Sequence, residues 1–291
     1  MSKRKNNKVF AGDGQGSPTE QWQGQRSDIM AEFGLDIAHE LVPLPSQGRP
    51  YPSDHPLHMK EVVEIRPMTA REEDILTSRA LIKKGVVLTE LLKSCLVDKR
   101  INPDSLLIGD RNAIMTSLRI TGYGSDYKVE VTCPSCSAKS KQTFDLTQLP
   151  LKRLENDPVA EGANVFETTL PKRKETDPEL VVRYKYLTGK DETDINILQE
   201  RKKKQGFSAD NLITTRYKYQ VVSINGVSDR SKLSMFIDRM PAFQSRHLRK
   251  AIDANEPGVE MKSHMNCPSC FEESEVSLPL GASFFWPDAE W

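Results

Sequence analysis

The sequence predicts an α+β fold: a helical N-terminal region, then a small β domain split in two by an α/β insertion. Three observations carry that expectation. Apolar residues recur at helical spacing between Pro67 and Arg119. Apolar and polar residues alternate into Cys133 and again into Cys267. Each of those cysteines opens the same tetrapeptide, Cys-Pro-Ser-Cys, so the halves of the β domain read as one strand–knuckle–strand hairpin used twice.

The first segment, residues 1–60, is rich in Gln, Ser, Gly, Pro and charge. Gly-Asp-Gly-Gln-Gly at 12–16 and Pro-Ser-Gln-Gly-Arg-Pro at 45–50 resist regular structure. Only Ile29 to Leu41 is apolar enough for a short helix or strand, so an extended low-complexity arm is expected, held by a partner chain. Residues 61–120 read as helical. Thr69 and Glu72 have capping-box spacing, in which each side chain satisfies a free backbone N–H of the first turn. Ile75, Leu76, Leu81 and Ile82 continue that helix to a stop at Lys83-Lys84-Gly85. Val86 to Val97 is a second helix with Cys95 among leucines, and Asp110 is placed to cap a third from Arg111 to Arg119.

Residues 121–157 and 258–291 are the two parts of the β domain. Tyr127, Val129 and Val131 lead into Cys133, and Thr143 to Leu146 returns after Cys136. Val259, Met261, Ser263 and Met265 lead into Cys267, and Val276 to Leu278 returns after Cys270. The matched strands are expected to bring both knuckles to one end of a shared sheet. Residues 158–257, the insertion, have their own pattern. Leu180, Val182, Tyr184 and Tyr186 alternate as a strand. Asp191 to Lys204 suits a helix with Ile195 and Leu198 inside, and its terminal Arg201-Lys202-Lys203-Lys204 suits the negative end of the helix dipole. Tyr217 to Ile224 reads as a strand ending at an Asn225-Gly226 turn. Leu233 to Ile237 and Phe243 to Ala254 read as short helices closed by Pro257-Gly258.

Cys133, Cys136, Cys267 and Cys270 are expected to hold one zinc ion between them. Zinc takes four sulfur or nitrogen ligands in a tetrahedron, and two Cys-x-x-Cys knuckles supply that set. With all four positions taken by sulfur, no place remains for water or substrate, so the ion would be structural. The competing readings are a redox motif, which ordinarily lies between a strand and a helix, a rubredoxin-like iron site, disulfides, and two knuckles that never meet. Cys95, in an apolar helical setting, reads as a small buried hydrophobe.

Lysine plus arginine equals aspartate plus glutamate, 41 of each, so there is no long-range field to gather nucleic acid. No window approaches the ~18 apolar residues of a membrane span, and the basic start lacks the apolar segment of a secretory signal. No Ser-His-Asp order, phosphate loop or His-Glu-x-x-His motif is present, and Gly122-x-Gly124 reads as a turn, so an enzyme is not expected. His55 and His58 lie in a Pro-rich polar stretch and read as solvated, while His264 is placed to donate to a neighbouring thiolate. The aromatic end, Phe284, Phe285, Trp286 and Trp291, either packs on the chain's own sheet or anchors a neighbour.

Several ordered stretches resemble the T4-type bacteriophage baseplate hub proteins. They are Pro67-Met68-Thr69-Ala70-Arg71-Glu72-Glu73-Asp74-Ile75-Leu76, Leu81 to Gly85, Asp98 to Ile101, Ile120 to Tyr127, Asp253 to Gly258 and Phe284 to Pro287, spanning roughly residues 60–290. The resemblance implies a structural component of the virion tail baseplate, made in the bacterial cytoplasm and bound to other tail proteins, with membership of a symmetric oligomer open. It brings no catalytic residue with it. Two other functions compete: a zinc-ribbon nucleic-acid-binding module, favoured by Lys172-Arg173-Lys174 and residues 201–204, and a transient tail-assembly chaperone.

Overall fold

The structure is a computed structural model and describes residues 38–204, 211–280 and 282–285. It begins with a ribbon in which β1 (Glu40–Pro43) pairs antiparallel with β2 (Val62–Ile65). Val42 and Val63 sit opposite one another and are buried. The loop between the strands is folded as well: Leu44, Tyr51 and Leu57 are buried, and local bonds such as Lys60 N to Leu57 O, 3.1 Å, satisfy its backbone. Proline and glycine specify turns here. The arm expected over residues 1–60 therefore does not include residues 39–60, and residues 1–37 lie outside the described part.

His55 and His58, expected to be solvated, are half-buried in this loop. The His55 ring stacks on Tyr51 at 4.4 Å and reaches Ser105 Oγ at 2.9 Å, while His58 Nδ1 bonds the Tyr51 carbonyl at 2.6 Å.

Four helices follow: α1 (Ala70–Thr77), α2 (Arg79–Lys84), α3 (Val87–Cys95) and α4 (Ile108–Tyr123). The single helix expected up to Gly85 is broken at Ser78, whose ψ of 103° is extended. Helix α4 is longer than expected, and Asp110 does not cap it. Its buried carboxylate instead accepts from Ser46 N (2.9 Å), Ser46 Oγ (2.5 Å) and Tyr51 Oη (2.7 Å), fastening the β1–β2 loop to the helix. A residue suited to capping was thus recruited by a distant loop.

Glu72 shows why the first helix starts where it does. Its carboxylate reaches back to the Thr69 N–H at 2.9 Å and also accepts from Arg66 Nη2 (2.6 Å) and Ser94 Oγ (2.6 Å), with a fully buried side chain. Burial alone would raise this carboxyl, but hydrogen bonds from Arg66, Ser94 and Thr69 outweigh it and hold it at about 2. The folded value is lower than the unfolded one, so the contribution is present above pH 4.5 and is lost as pH falls through about 2. Glu72→Gln is expected to destabilise by roughly 3 kcal/mol at neutral pH, because it leaves Arg66 without its buried counter-charge. It should also flatten the acid limb of stability against pH, measured by urea unfolding between pH 2 and 5.

In the insertion, β6 (Phe166–Leu170), β7 (Leu180–Tyr184) and β8 (Val221–Ile224) form an antiparallel sheet in that order. Phe166, Tyr184 and Tyr186 cluster together at tilted and edge-on angles, with the Phe166 and Tyr186 ring centres 4.5 Å apart. The helices are α5 (Gly189–Lys204), α6 (Leu212–Gln220), α7 (Arg230–Arg239) and α8 (Ala242–Asn255). Two expectations are corrected here. Tyr217 to Gln220 is helical, with Thr215, Tyr217 and Gln220 buried around α6, and only Val221–Ile224 is strand. On α5, Ile195 is buried as expected but Leu198 is 36% exposed. The Asn225-Gly226 turn closes β8 with φ of 46° and 80°, the left-handed pair that a tight turn demands.

The short strands β5 (Leu151–Lys152) and β9 (Gly258–Val259) pair and join the two parts of the β domain. From His39 onward the chain forms one compact unit around one apolar cluster that runs from Val42 to Phe285. The ranges 61–120, 121–157, 158–257 and 258–291 are thus regions of one body. Among the described residues no helix is long and apolar enough to cross a membrane.

Candidate metal centre

Two β-ribbons carry the cysteines. β3 (Asp126–Thr132) pairs with β4 (Lys139–Asp145), and β10 (Lys262–Asn266) pairs with β11 (Glu273–Ser277). Tyr127 and Val131 face inward on β3, as Met265 and Val276 do on the second ribbon, which is the alternation read from the sequence. The ribbons are separate two-stranded sheets, so the single shared sheet expected from the flanking pattern is not formed. The sulfurs join them at one end. At the other, the Tyr127 hydroxyl donates to the Pro279 carbonyl at 3.0 Å.

The knuckles are built alike. In the first, Cys133 N bonds the Ala138 carbonyl and Ser137 N bonds the Cys133 carbonyl, each at 2.9 Å. In the second, Cys267 N bonds the Glu272 carbonyl at 3.0 Å and Phe271 N bonds the Cys267 carbonyl at 2.9 Å. Ser137 and Phe271 occupy the same place after the second cysteine, with φ of 60° and 58°. Backbone N–H groups point at the sulfurs. Those of Cys136 and Ser135 hold the Cys133 thiol below its usual value, and those of Cys270 and Ser269 bring Cys267 down to about 6. Thiolate is the ligand form, so each turn prepares its first cysteine as a donor, whereas Cys136 is raised and Cys270 lies at about 12.

The four sulfurs lie within 4.8 Å of one another. Cys133 and Cys270 are 3.8 Å apart, and Cys136 and Cys267 are 3.6 Å apart. A tetrahedral ion with sulfur at about 2.3 Å sets neighbouring sulfurs about 3.8 Å apart, so the donor set fits a metal of zinc's size and preference. Neither pair lies at the ~2.05 Å of a disulfide, and all four cysteines are free. Strands, not helices, follow both knuckles, which removes the feature a redox motif depends on. His264, for which donation to a thiolate is one reading of the sequence, is largely exposed and lies 3.9 Å from Glu273. Burial pushes the Cys95 thiol up to about 12, consistent with an inert core residue.

Comparison with protein-family models places residues 39–286 in the family described as T4 bacteriophage base plate protein. The chain belongs to that family. No curated protein and no solved structure matched it. Membership makes this baseplate protein a component of the phage tail, and the matched residues take in most of the stretches that carry the resemblance.

The described part of the baseplate protein's aromatic end is not an external surface. Phe284 and Phe285 are fully buried, so they are corrected from partner anchors to core residues. Phe284 packs edge-on against Tyr127 at 5.0 Å, and its carbonyl accepts from the buried Arg119 Nε at 3.0 Å. Trp286 and Trp291 lie outside the described residues. The aromatic that is 85% exposed is Phe271, on the second knuckle. Its signal in the sequence was position: a large ring directly after a knuckle cysteine, where a left-handed backbone leaves it no strand neighbour.

Proposed function

We propose that this protein is a structural subunit of the phage baseplate hub, that it contributes to baseplate assembly through protein–protein contacts, and that Cys133, Cys136, Cys267 and Cys270 hold one structural zinc ion. The observation that carries the reading is the family match over residues 39–286, which takes in both knuckles. The zinc, when bound, supplies only cross-linking of the ribbons, because four sulfurs leave it no open position. On this reading the metal has a structural and not a catalytic part, and the partners are other tail and baseplate proteins, met after synthesis in the host cytoplasm. Nucleic acid is the weaker reading: Lys172, Arg173 and Lys174 are exposed, but they sit on a tight local turn in which the Arg173 and Lys174 backbone N–H groups bond Asp177, and the chain's net charge is zero.

The test is mass spectrometry of purified particles. The chain is expected in the mature virion at a copy number in fixed ratio to other baseplate subunits. Its absence from particles, with presence in infected-cell lysate, would overturn the subunit reading in favour of a transient assembly factor.

A further inference from the structure

Helix α8 is held on its inner side and left bare on its outer one. Gln244, Leu248 and Ile252 are buried as it packs across β6. Its first turn is fastened on two flanks. Gln244 Nε2 donates to the Pro171 carbonyl at 3.1 Å, and the Ser245 carbonyl accepts from Tyr217 Oη at 2.6 Å. Pro171 immediately precedes Lys172, so the Gln244 bond sets the turn of Lys172, Arg173 and Lys174 beside the start of α8. At about 3.6 residues per turn, the exposed positions next round from Gln244 are His247 and Phe243, and Lys250 and Arg246 follow on the outward face. Two basic stretches, far apart in the chain, thus border one surface. Their cations form no ion pair among the described residues, whereas Lys218 and Arg183 elsewhere in the insertion are paired with Asp238 at 2.8 Å and Glu167 at 3.0 Å. The acids nearest in the chain do not neutralise them. The Asp177 carboxylate is engaged by the N–H groups of Arg173 and Lys174, at 3.1 and 2.9 Å, and the exposed Glu175 and Asp253 pair with none of these side chains.

We propose that this surface binds an acidic segment of another tail protein, whose carboxylates meet Lys172, Arg173, Lys174, Arg246 and Lys250 and whose apolar side chain covers Phe243. Charge is the first argument. Lysines and arginines without partners of their own, carried on a helix and a hydrogen-bonded turn, meet carboxylates without breaking an existing pair. Phe243 is the second. Its ring is 40% exposed and lies one helical turn from Arg246, and arginine with an aromatic ring is the combination that concentrates binding energy at protein interfaces. Nucleic acid suits the same cations less well. The chain has no net charge, and a phosphate backbone, charged along its whole length, runs against Glu175 and Asp253, where a protein segment can stay neutral. Phosphates also offer Phe243 nothing apolar. This inference rests on the assembly reading and gives the partner its chemistry.

The experiment measures binding of a labelled peptide of repeated Glu-Glu-Leu to the purified full chain by fluorescence anisotropy, with a Lys-Lys-Leu peptide and a short DNA duplex for comparison. The acidic peptide is expected to bind about tenfold or more tightly than either, and to weaken as salt rises. Lys172→Glu with Lys250→Glu should weaken it by about tenfold or more, and Phe243→Ser should weaken it without changing the salt dependence. Lys203→Glu with Lys204→Glu, at the exposed end of α5, should leave it unchanged. All five are exposed positions, and an unaltered urea midpoint shows each variant to be folded. Equal binding of the duplex, or equal loss in the α5 variant, overturns the proposal. Self-association of the chain that the Lys172 and Lys250 reversals abolish makes a second copy the occupant and also overturns it. In phage, the Lys172→Glu, Lys250→Glu variant is expected to be depleted from particles, while Lys172→Arg with Lys250→Arg is retained. Normal incorporation of the reversed variant sinks the surface and leaves the subunit reading standing. Absence of the unaltered chain from particles sinks the latter alone, because the peptide assay needs no particle.

Discussion

Cys133→Ser is expected to abolish metal binding and to unfold both ribbons while the helical part of the chain persists. Elemental analysis of the unaltered protein should find about one zinc per chain. The size of the effect follows from what else holds the ribbons together. Each is a two-stranded sheet, and isolated hairpins are marginal in water. Among the described residues, a hydroxyl–carbonyl bond from Tyr127 to Pro279 closes the far end, worth about 1 kcal/mol, and Val131, Met265 and Val276 add apolar burial but no pairing between the ribbons. A four-thiolate zinc contributes on the order of 10 kcal/mol in small metal-dependent folds, so the ion dominates the local balance. Serine keeps the size and loses the thiolate, which isolates the ligand's role from packing. Exchange protection should vanish at residues 126–145 and 262–277 together, because the site is shared. Zinc retained in a Cys133→Ser, Cys136→Ser double variant would end the shared-site model, and iron in place of zinc would correct the metal alone.

The knuckles were legible because a Cys-x-x-Cys turn is a local event that carries its own hydrogen bonds, and because alternation into Cys133 and Cys267 needs no knowledge of the partner strand. The capping position of Thr69 with Glu72 was legible for the same reason. What the pattern did not contain was pairing over distance. β1 pairs with β2 across a loop of Pro and Gly, and that loop is folded because Ser46 and Tyr51 find Asp110 far along the chain. Composition registered only the turn formers. Phe284 and Phe285 failed in the opposite direction: a cluster of rings at a chain end looks available until Tyr127 and Arg119 are seen to receive it. Tyr217 to Gln220 alternates well enough for a strand, and only packing against the neighbouring helices makes it a helix.

Gly109→Ala is expected to destabilise by about 3 kcal/mol or more, whereas Gly122→Ala on the same helix should change stability by no more than about 0.5 kcal/mol. Alanine favours a helix over glycine by about 1 kcal/mol, so propensity alone predicts a gain at both sites. The surroundings decide otherwise. A Cβ at Gly109 would sit far inside contact distance of the Pro257 carbonyl oxygen, with Gly258 Cα at 3.1 Å. Those atoms are backbone, held between the end of α8 and the β5–β9 pairing, and no rotamer change relieves them. At Gly122 the obstacle is the terminal methyl of Met68, which swings aside. The crossing at Gly109 matters for the site as well. β9 leads through Met261 into β10 and the second knuckle, so α4 sets where Cys267 and Cys270 stand relative to Cys133 and Cys136. Gly109→Ala should therefore speed zinc loss to a chelator as well as lower the unfolding midpoint in urea. Equal stabilities for the two alanine variants, or unchanged zinc release in Gly109→Ala, would show that the backbone crossing neither resists the methyl nor positions the knuckle.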